Sequence, residues 1–324
     1  MRKLRLFTES WKMRIPFRIT GYTFTHADLL RADIAESGCT GRGEAAGVYY
    51  LAETGASMLA QAETVRAEIE QGANREDLRR LLPPGGARNA IDCALWDLEA
   101  KQQGKSIWEL TGIQPARTFS VQTVGIGTPE EMARAARALD TRQIKVKLDG
   151  EAPEQRIVAV RDARPDVVIV VDVNQGWTFE QLVELSPRLQ RLGVAMIEQP
   201  LPRGGDAALE DYRSPVPLCA DESCLHTGEF EQAAGRYQLI NIKLDKTGGL
   251  TEALDLAGRA REHGIDLMVG NMMGTSLAMA PGYVIAQLCR FVDLDGALFL
   301  ERDRDNPMNF QGGELSAPAP ALWG

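Results

Sequence analysis

Lys145 and Lys147, then Asp172, Glu198, Asp221, Lys243 and the pair Asp293 and Asp295 each stand at the end of a short apolar run. Their segments are IKVKLDG, VIVVDVNQGW, AMIEQPL, LCADES, LINIKLDKTGG and FVDLDG, at intervals of 22 to 50 residues. A chain that repeatedly ends a buried strand in a charge builds a site at one rim of a parallel barrel. Three carboxylates flanked by lysines suit metal-assisted proton transfer. Hard oxygens from Asp172, Glu198 and Asp221 favour one Mg²⁺ ion per chain, with positions left for substrate oxygens. Asn174 and Glu222 lie beside these ligands in sequence and are expected to support them.

Lys145 and Lys147 are two apart in a strand, so their side chains share a face and Val146 takes the other. Two ammonium groups so close oppose each other's charge, and one is expected to have a lowered pKa and act as a base. Lys243, four strands further round, approaches from the opposite side. Two amines on opposite faces of one carbon are what two-base racemisation needs. Lys246 falls past the strand, in the turn DKTGG, and is the weaker candidate. Edge-strand solubility is the bland reading of KVK and IKL; a closed barrel has no edge.

From about residue 118, apolar runs alternate with helical stretches that would hold these residues. They are 119–124 and 130–139, 144–148 and 152–163, 167–173 and 179–192, and 194–198 and 206–212. The order continues with 217–221 and 228–234, 238–244 and 250–264, 266–270 and 276–288, then 291–295. Such an order predicts an α/β fold, a (β/α)7β-type TIM barrel. An open doubly wound sheet competes, but no glycine-rich phosphate loop follows the first strand. Residues 1–117 read as an α+β N-terminal capping domain. Its expected parts are a strand over 1–20, another over 28–36, the glycine-containing GCTGRGEAAG, a helical pattern from 53 to 72, a break at LLPPGG and a helix over 87–101. The barrel is assigned to 118–310, and the C-terminal tail, 311–324, is expected to complete the cap.

Of the 324 residues, 44% are hydrophobic and 25% charged, ordinary values for a globular chain. A net charge of -9 argues against a nucleic-acid partner. No run of about 18 apolar residues suggests a membrane span. The basic start lacks the apolar core of a secretory signal. Five scattered cysteines without a CxxC pair fit reduced thiols in a cytoplasmic protein. The isolated His26, His226 and His263 give no zinc pattern.

The KxK pair, VDxNxxW, IEQPL, ADES and NIKLDKTGG, with the helix ARNAIDCALWDLEAK, resemble the muconate-lactonising subgroup of the enolase superfamily over essentially the whole chain. Asp293-Leu294-Asp295 is similar to the DxD pair of dipeptide epimerases, where it binds the ammonium end of the dipeptide. Two carboxylates at one strand end form a clamp for a cation. The same helix and NIKLDKTGGLTEAL look like L-Ala-D/L-Glu epimerases. The resemblance implies Mg²⁺-dependent epimerisation of the C-terminal residue of an L-dipeptide through an enolate. Lys147 and Lys243 would be the bases, Lys145 would tune Lys147 and touch the substrate carboxylate, and Thr123, Asn271, Met272 and Met273 would line the pocket. Barrels of this kind often self-associate, so a homo-oligomer is expected.

Glutamate-specific members carry an arginine in the mobile loop after the first strand. Here that loop, PFRITGYTFTHAD, presents Tyr22 and Phe24, and Arg18 near its start is its only arginine. Such a tip suits an apolar or small side chain better than a carboxylate left unpaired. The rivals are an N-acylamino-acid racemase, an o-succinylbenzoate synthase or a muconate cycloisomerase, none of which needs an ammonium clamp. A barrel glycosidase would not need KxK or a third carboxylate. A non-catalytic metal-binding barrel has no reason to oppose two lysines.

Overall fold

The computed structural model describes residues 1–19 and 21–324, with every side chain among them except that of Arg18. β1 (Lys3–Ile19), β2 (Tyr22–Glu36) and β3 (Cys39–Ala46) form an antiparallel sheet. The stretch read as a loop, 16–28, is mostly paired strand, so β2 starts six residues earlier than the expected 28. Pairing runs from Lys3↔Ala35 to Lys12↔His26, slips, and resumes at Phe17↔Phe24. Pro16 has no N–H to give the ladder, and residues 13–16 bulge out. The bulge leans on the barrel: Met13 bridges Leu300, and Glu301 N–H donates to the Lys12 carbonyl at 2.9 Å.

GCTGRGEAAG is largely strand, β3, and its glycines have a packing reason. A Cβ at Gly41 or Gly43 would fall 2.1 Å from a carbonyl oxygen of the helix Gly86–Gln103. The pattern over 53–72 is two helices, Gly55–Glu63 and Arg66–Glu70.

β4 (Thr118–Phe119) separates from the expected first barrel strand. The barrel sheet is β5 (Gln122–Val124), β6 (Gln143–Lys147), β7 (Val168–Asp172), β8 (Val194–Glu198), β9 (Leu218–Ala220), β10 (Leu239–Lys243), β11 (Asp266–Gly270) and β12 (Phe291–Val292), parallel and in sequential order. Its two ends meet where Val121 N–H donates to the Val292 carbonyl at 2.8 Å and Leu294 N–H to Ser120 Oγ at 2.9 Å. Threonines at 128 and 178 start the helices after β5 and β7 through capping boxes. The expected helix over 206–212 is one 3-10 turn, Ala207–Glu210. Among the described residues no helix is long and apolar enough to cross a membrane.

β13 (Phe310–Gln311) and β14 (Glu314–Leu315) form a hairpin that pairs with β4. The last residues return to the helix Gly86–Gln103: Trp323 Nε1 donates to the Cys93 carbonyl at 2.9 Å, and Gly324 N–H to Asp97 Oδ1 at 2.8 Å. Trp323 is completely buried. Trp323→Ala is therefore expected to lower the unfolding free energy by about 3–5 kcal/mol, read as a fall in the urea midpoint.

Candidate active site

Inside the barrel, Val121, Val170, Met196, Cys219, Leu239, Met268 and Phe291 pack as one apolar layer. Side chains alternate along each strand, so the next inward position is two residues on. There the filling turns polar: Asp172, Glu198, Asp221, Asn241 and Asp293, joined by Lys145, are all buried. Lys145 Nζ lies 2.9 Å from Asp172, 2.8 Å from Glu198 and 2.8 Å from Asp293. Lys147 Nζ donates to Asp172 at 2.6 Å and to Asn174 Oδ1 at 2.9 Å. Across the barrel, Lys243 meets Asp221 Oδ2 at 2.5 Å and Lys246 meets Oδ1 at 2.8 Å. β6 and β10 are four strands apart in an order of eight, so Lys147 and Lys243 enter from opposite sides.

Of the KxK pair expected to hold a lowered pKa, Lys145 is shifted the other way by this charge balance. Burial pushes Lys145 and Lys243 down, but the surrounding carboxylates outweigh it, and both end above the usual lysine range. Burial pushes Asp172 and Asp221 up, yet the lysines hold both well below the usual carboxylate range. Glu198 is raised by burial and then by repulsion from Asp172, with Asp221 adding to it. Glu222 is pushed up to about 8 by burial, then by Asp221.

Among the described residues, no three carboxylate, imidazole or thiol groups are gathered into a ready-made cation site; ammonium groups bind the carboxylates instead. The donor set nevertheless fits a hard divalent ion. Asp172, Glu198 and Asp221 supply only oxygen, and their mutual repulsion calls for positive charge. Glu198 Oε2 is buried and receives no hydrogen bond, although Lys145 Nζ is 2.8 Å away. These three residues would hold the ion.

Two cavities open above this layer and share Phe17. One, of about 210 Å³, is lined by Lys147, Asn174, Lys243, Asn271, Met272 and Met273, with Phe24 from the hairpin. The other, of about 660 Å³, is lined by Thr123 and Asp295 among others. The expected substrate-binding set is thus split: Thr123 and Asp295 line one space, Phe24, Asn271, Met272 and Met273 the other, and Asp293 neither. Asp295 accepts from Thr123 N–H at 3.0 Å and makes no ion pair among the described residues; burial, then Asp293, raises it to about 8. Asp293 gives one oxygen to Lys145, and its other is buried without a hydrogen bond. Tyr22 lines neither cavity; it is 44% exposed and packs edge-on against Tyr49. The Arg18 side chain lies outside the described residues.

Residues 1–112 match the mandelate racemase/muconate lactonizing enzyme N-terminal domain, and residues 128–321 match the enolase C-terminal domain-like family. The chain belongs to the mandelate racemase/muconate lactonizing enzyme family. Among family members it is 44% identical to the L-Ala-D/L-Glu epimerase of Escherichia coli K12, over 97% of this chain and 99% of that one. An Agrobacterium tumefaciens enolase family member with homology to dipeptide epimerases, solved with sodium and L-Ala-L-Glu, superposes with a TM-score of 0.97. It is 39% identical, and all of both chains is covered. A Methylococcus capsulatus dipeptide epimerase, solved with Mg and L-Arg-D-Lys, gives 0.92 at 30% identity, covering 99% of this chain and 98% of that one.

Four residues that the structure brings to this site do not stand out as central in the sequence. Asn241 Nδ2 donates to Glu198 Oε1 at 2.6 Å; its place two before Lys243 on one strand face is a usable signal. Gln199 accepts from Asp221 N–H at 2.9 Å and Ser223 N–H at 3.0 Å, with φ at +36°, a strained value for a side-chain-bearing residue. Lys246 sits in a four-residue helix, Leu244–Thr247, formed by the expected turn. Asp245, in the same turn of helix, accepts from Ala46 N–H at 2.9 Å and Asn89 Nδ2 at 3.1 Å, tying β3 to the barrel.

Burial raises Asp245 from the ordinary 3.8 to about 7. The folded chain then binds this proton more tightly than the unfolded chain, so stability is withdrawn as pH rises across that interval. Asp245→Asn cannot ionise. Its urea midpoint relative to the parent protein should climb from about pH 4 to about pH 7 and level off above; a difference that does not change with pH would contradict the burial effect.

Proposed function

We propose that this chain is a Mg²⁺-dependent isomerase that epimerises the C-terminal residue of L-dipeptides by two-base proton transfer. One observation carries the reading: Lys147 and Lys243, from opposite strands, line one cavity while pairing with Asp172 and Asp221. A substrate α-carbon between them has an amine on each face. As the neutral amine, one lysine takes the α-proton, and the electron pair left on carbon delocalises into the substrate carboxylate as an enolate. The other, as ammonium, gives its proton to the opposite face. One proton leaves and one arrives, and the two lysines exchange protonation states. Mg²⁺, when bound, supplies Lewis-acid stabilisation of the developing charge on the carboxylate. Lys145, boxed in by three carboxylates, stays charged and fixes the electrostatic floor. Asp295, lacking a cation, suits the substrate's ammonium and disfavours N-acylated amino acids, which would leave it unpaired.

For the C-terminal side chain, the Escherichia coli relative supports glutamate. A second reading has its own observation. The lining of the 210 Å³ cavity includes Ile19, Phe24, Met272 and Met273, with Asp28 and Glu53; walls that are apolar and acidic favour an apolar side chain over glutamate. We further propose residues 1–117 and 311–324 as the cap that closes over the barrel, 118–310, and excludes water. Five unpaired cysteines support a reducing, cytoplasmic setting. Self-association is proposed from the architecture alone.

A heavy-water screen of L,L-dipeptides with Mg²⁺ and mass-spectrometric detection tests the reading. Deuterium should enter only the C-terminal residue, and comparison of L-Ala-L-Glu with L-Ala-L-Leu ranks the two side-chain readings. Lys147→Met and Lys243→Met should each cut epimerisation by about 10³-fold or more. Each variant should still exchange the α-proton of one diastereomer, a different one in the two cases. Full epimerisation by the double variant would end the two-base account.

A further inference from the structure

The larger cavity is far roomier than an N-terminal alanine requires. It begins at Thr123 and Asp295 on the inner rim and runs outward between the hairpin bulge and the helix Pro129–Ala138. Phe17, packed on Phe299 with ring centres 4.8 Å apart, lines this cavity and the reaction cavity alike. Its outer walls include Ile15, Met132, Ala135 and Leu298. Ile15 is 68% exposed and Leu298 38%, large apolar side chains left facing water on the two sides of one trough. At the trough's head is the buried Asp295 carboxyl, whose only close polar partner is in Thr123, with no cation on it among the described residues.

The occupant that answers both features has a cation at one end and apolar bulk beside it. A bare metal ion would leave the apolar walls in water. An acyl group would bring no cation to the buried Asp295 carboxyl, whereas an ammonium beside it would favour its ionised form and pair with it. A free peptide amino terminus with a large apolar side chain satisfies both, because its ammonium and its side chain branch from the same carbon.

We infer that this trough is a subsite for a bulky apolar side chain on the N-terminal residue of the dipeptide, with its ammonium on Asp295. The inference rests on the dipeptide reading above and adds the class of N-terminal residue. Leucine or phenylalanine would cover Ile15 and Leu298; an alanine methyl would not reach them. Discrimination by apolar pockets runs at about tenfold or more per added methylene in good cases, so the preference is large enough to measure.

The test is kcat/KM for L-Ala-L-X, L-Leu-L-X and L-Phe-L-X, with X fixed at the residue the heavy-water screen selects. The leucyl or phenylalanyl substrate should exceed the alanyl one by about tenfold. Ala135→Phe, on the helix wall, should lower the ratio of leucyl to alanyl kcat/KM by a similar factor. Leu298→Trp, on the opposite wall, gives the same block should the first variant fold poorly. An alanyl kcat/KM equal to or above the leucyl and phenylalanyl values, or ratios unmoved by both variants, would overturn this inference and leave the dipeptide reading standing. No exchange in any dipeptide would overturn both.

Discussion

Six buried carboxylates, of Asp172, Glu198, Asp221, Glu222, Asp293 and Asp295, meet four buried ammonium groups, of Lys145, Lys147, Lys243 and Lys246, at one end of the barrel. Everything else in the structure serves or tolerates that crowd. Isolated ions of this kind are costly to bury, and they persist only when paired and hydrogen-bonded. Burial, with repulsion from neighbouring carboxylates added, leaves Glu198, Glu222 and Asp295 raised while Asp172 and Asp221 are held ionised by their lysines. Such a balance is short of positive charge. A divalent cation would supply it and would compete with the lysines for the carboxylates. The same exchange would free two amines that are otherwise committed to ion pairs. Metal binding and base activation would in this sense be one event.

The scaffold's task is to hold that crowd rigid. The apolar layer from Val121 to Phe291 forms its floor. Gln199, bent into a left-handed conformation, pins the backbone at Asp221 and Ser223. Gly270 has no side chain because a Cβ there would fall 2.8 Å from the Asn241 amide and 2.9 Å from Lys243 Cε. The cap is tied to the same strands. Asp245 reaches from just beyond Lys243 to Ala46, and Glu44 accepts from Thr275 N–H at 2.8 Å while pairing with Arg304. A hairpin anchored at Met13 and Leu300 then carries Phe17 and Phe24 over the barrel mouth.

The charged strand ends are legible in the sequence because burying Asp, Glu or Lys beside an apolar run is costly, so its recurrence at regular intervals marks a site. Lys246 is not legible, since a turn such as DKTGG looks solvated until the helix Leu244–Thr247 buries it. β3 is hidden because glycine carries no alternation, and its glycines answer to a helix about 50 residues away. The hairpin tip is hidden in a different way: several of its residues from Tyr22 to Asp28 face solvent, so burial leaves little period to read. The direction of the lysine shifts depends on how many carboxylates the fold brings together, and neighbours in sequence do not reveal that number.

The central claim is that one divalent ion replaces the lysines as the partner of Asp172, Glu198 and Asp221. Crystals grown with Mn²⁺ and a slowly turned-over dipeptide test it through anomalous scattering. The account requires a single strong peak among those three carboxylates, with the Nζ atoms of Lys147 and Lys243 withdrawn from Asp172 and Asp221 and facing opposite sides of the C-terminal α-carbon. A peak elsewhere, or both amines still paired with their aspartates beside bound substrate, would contradict it.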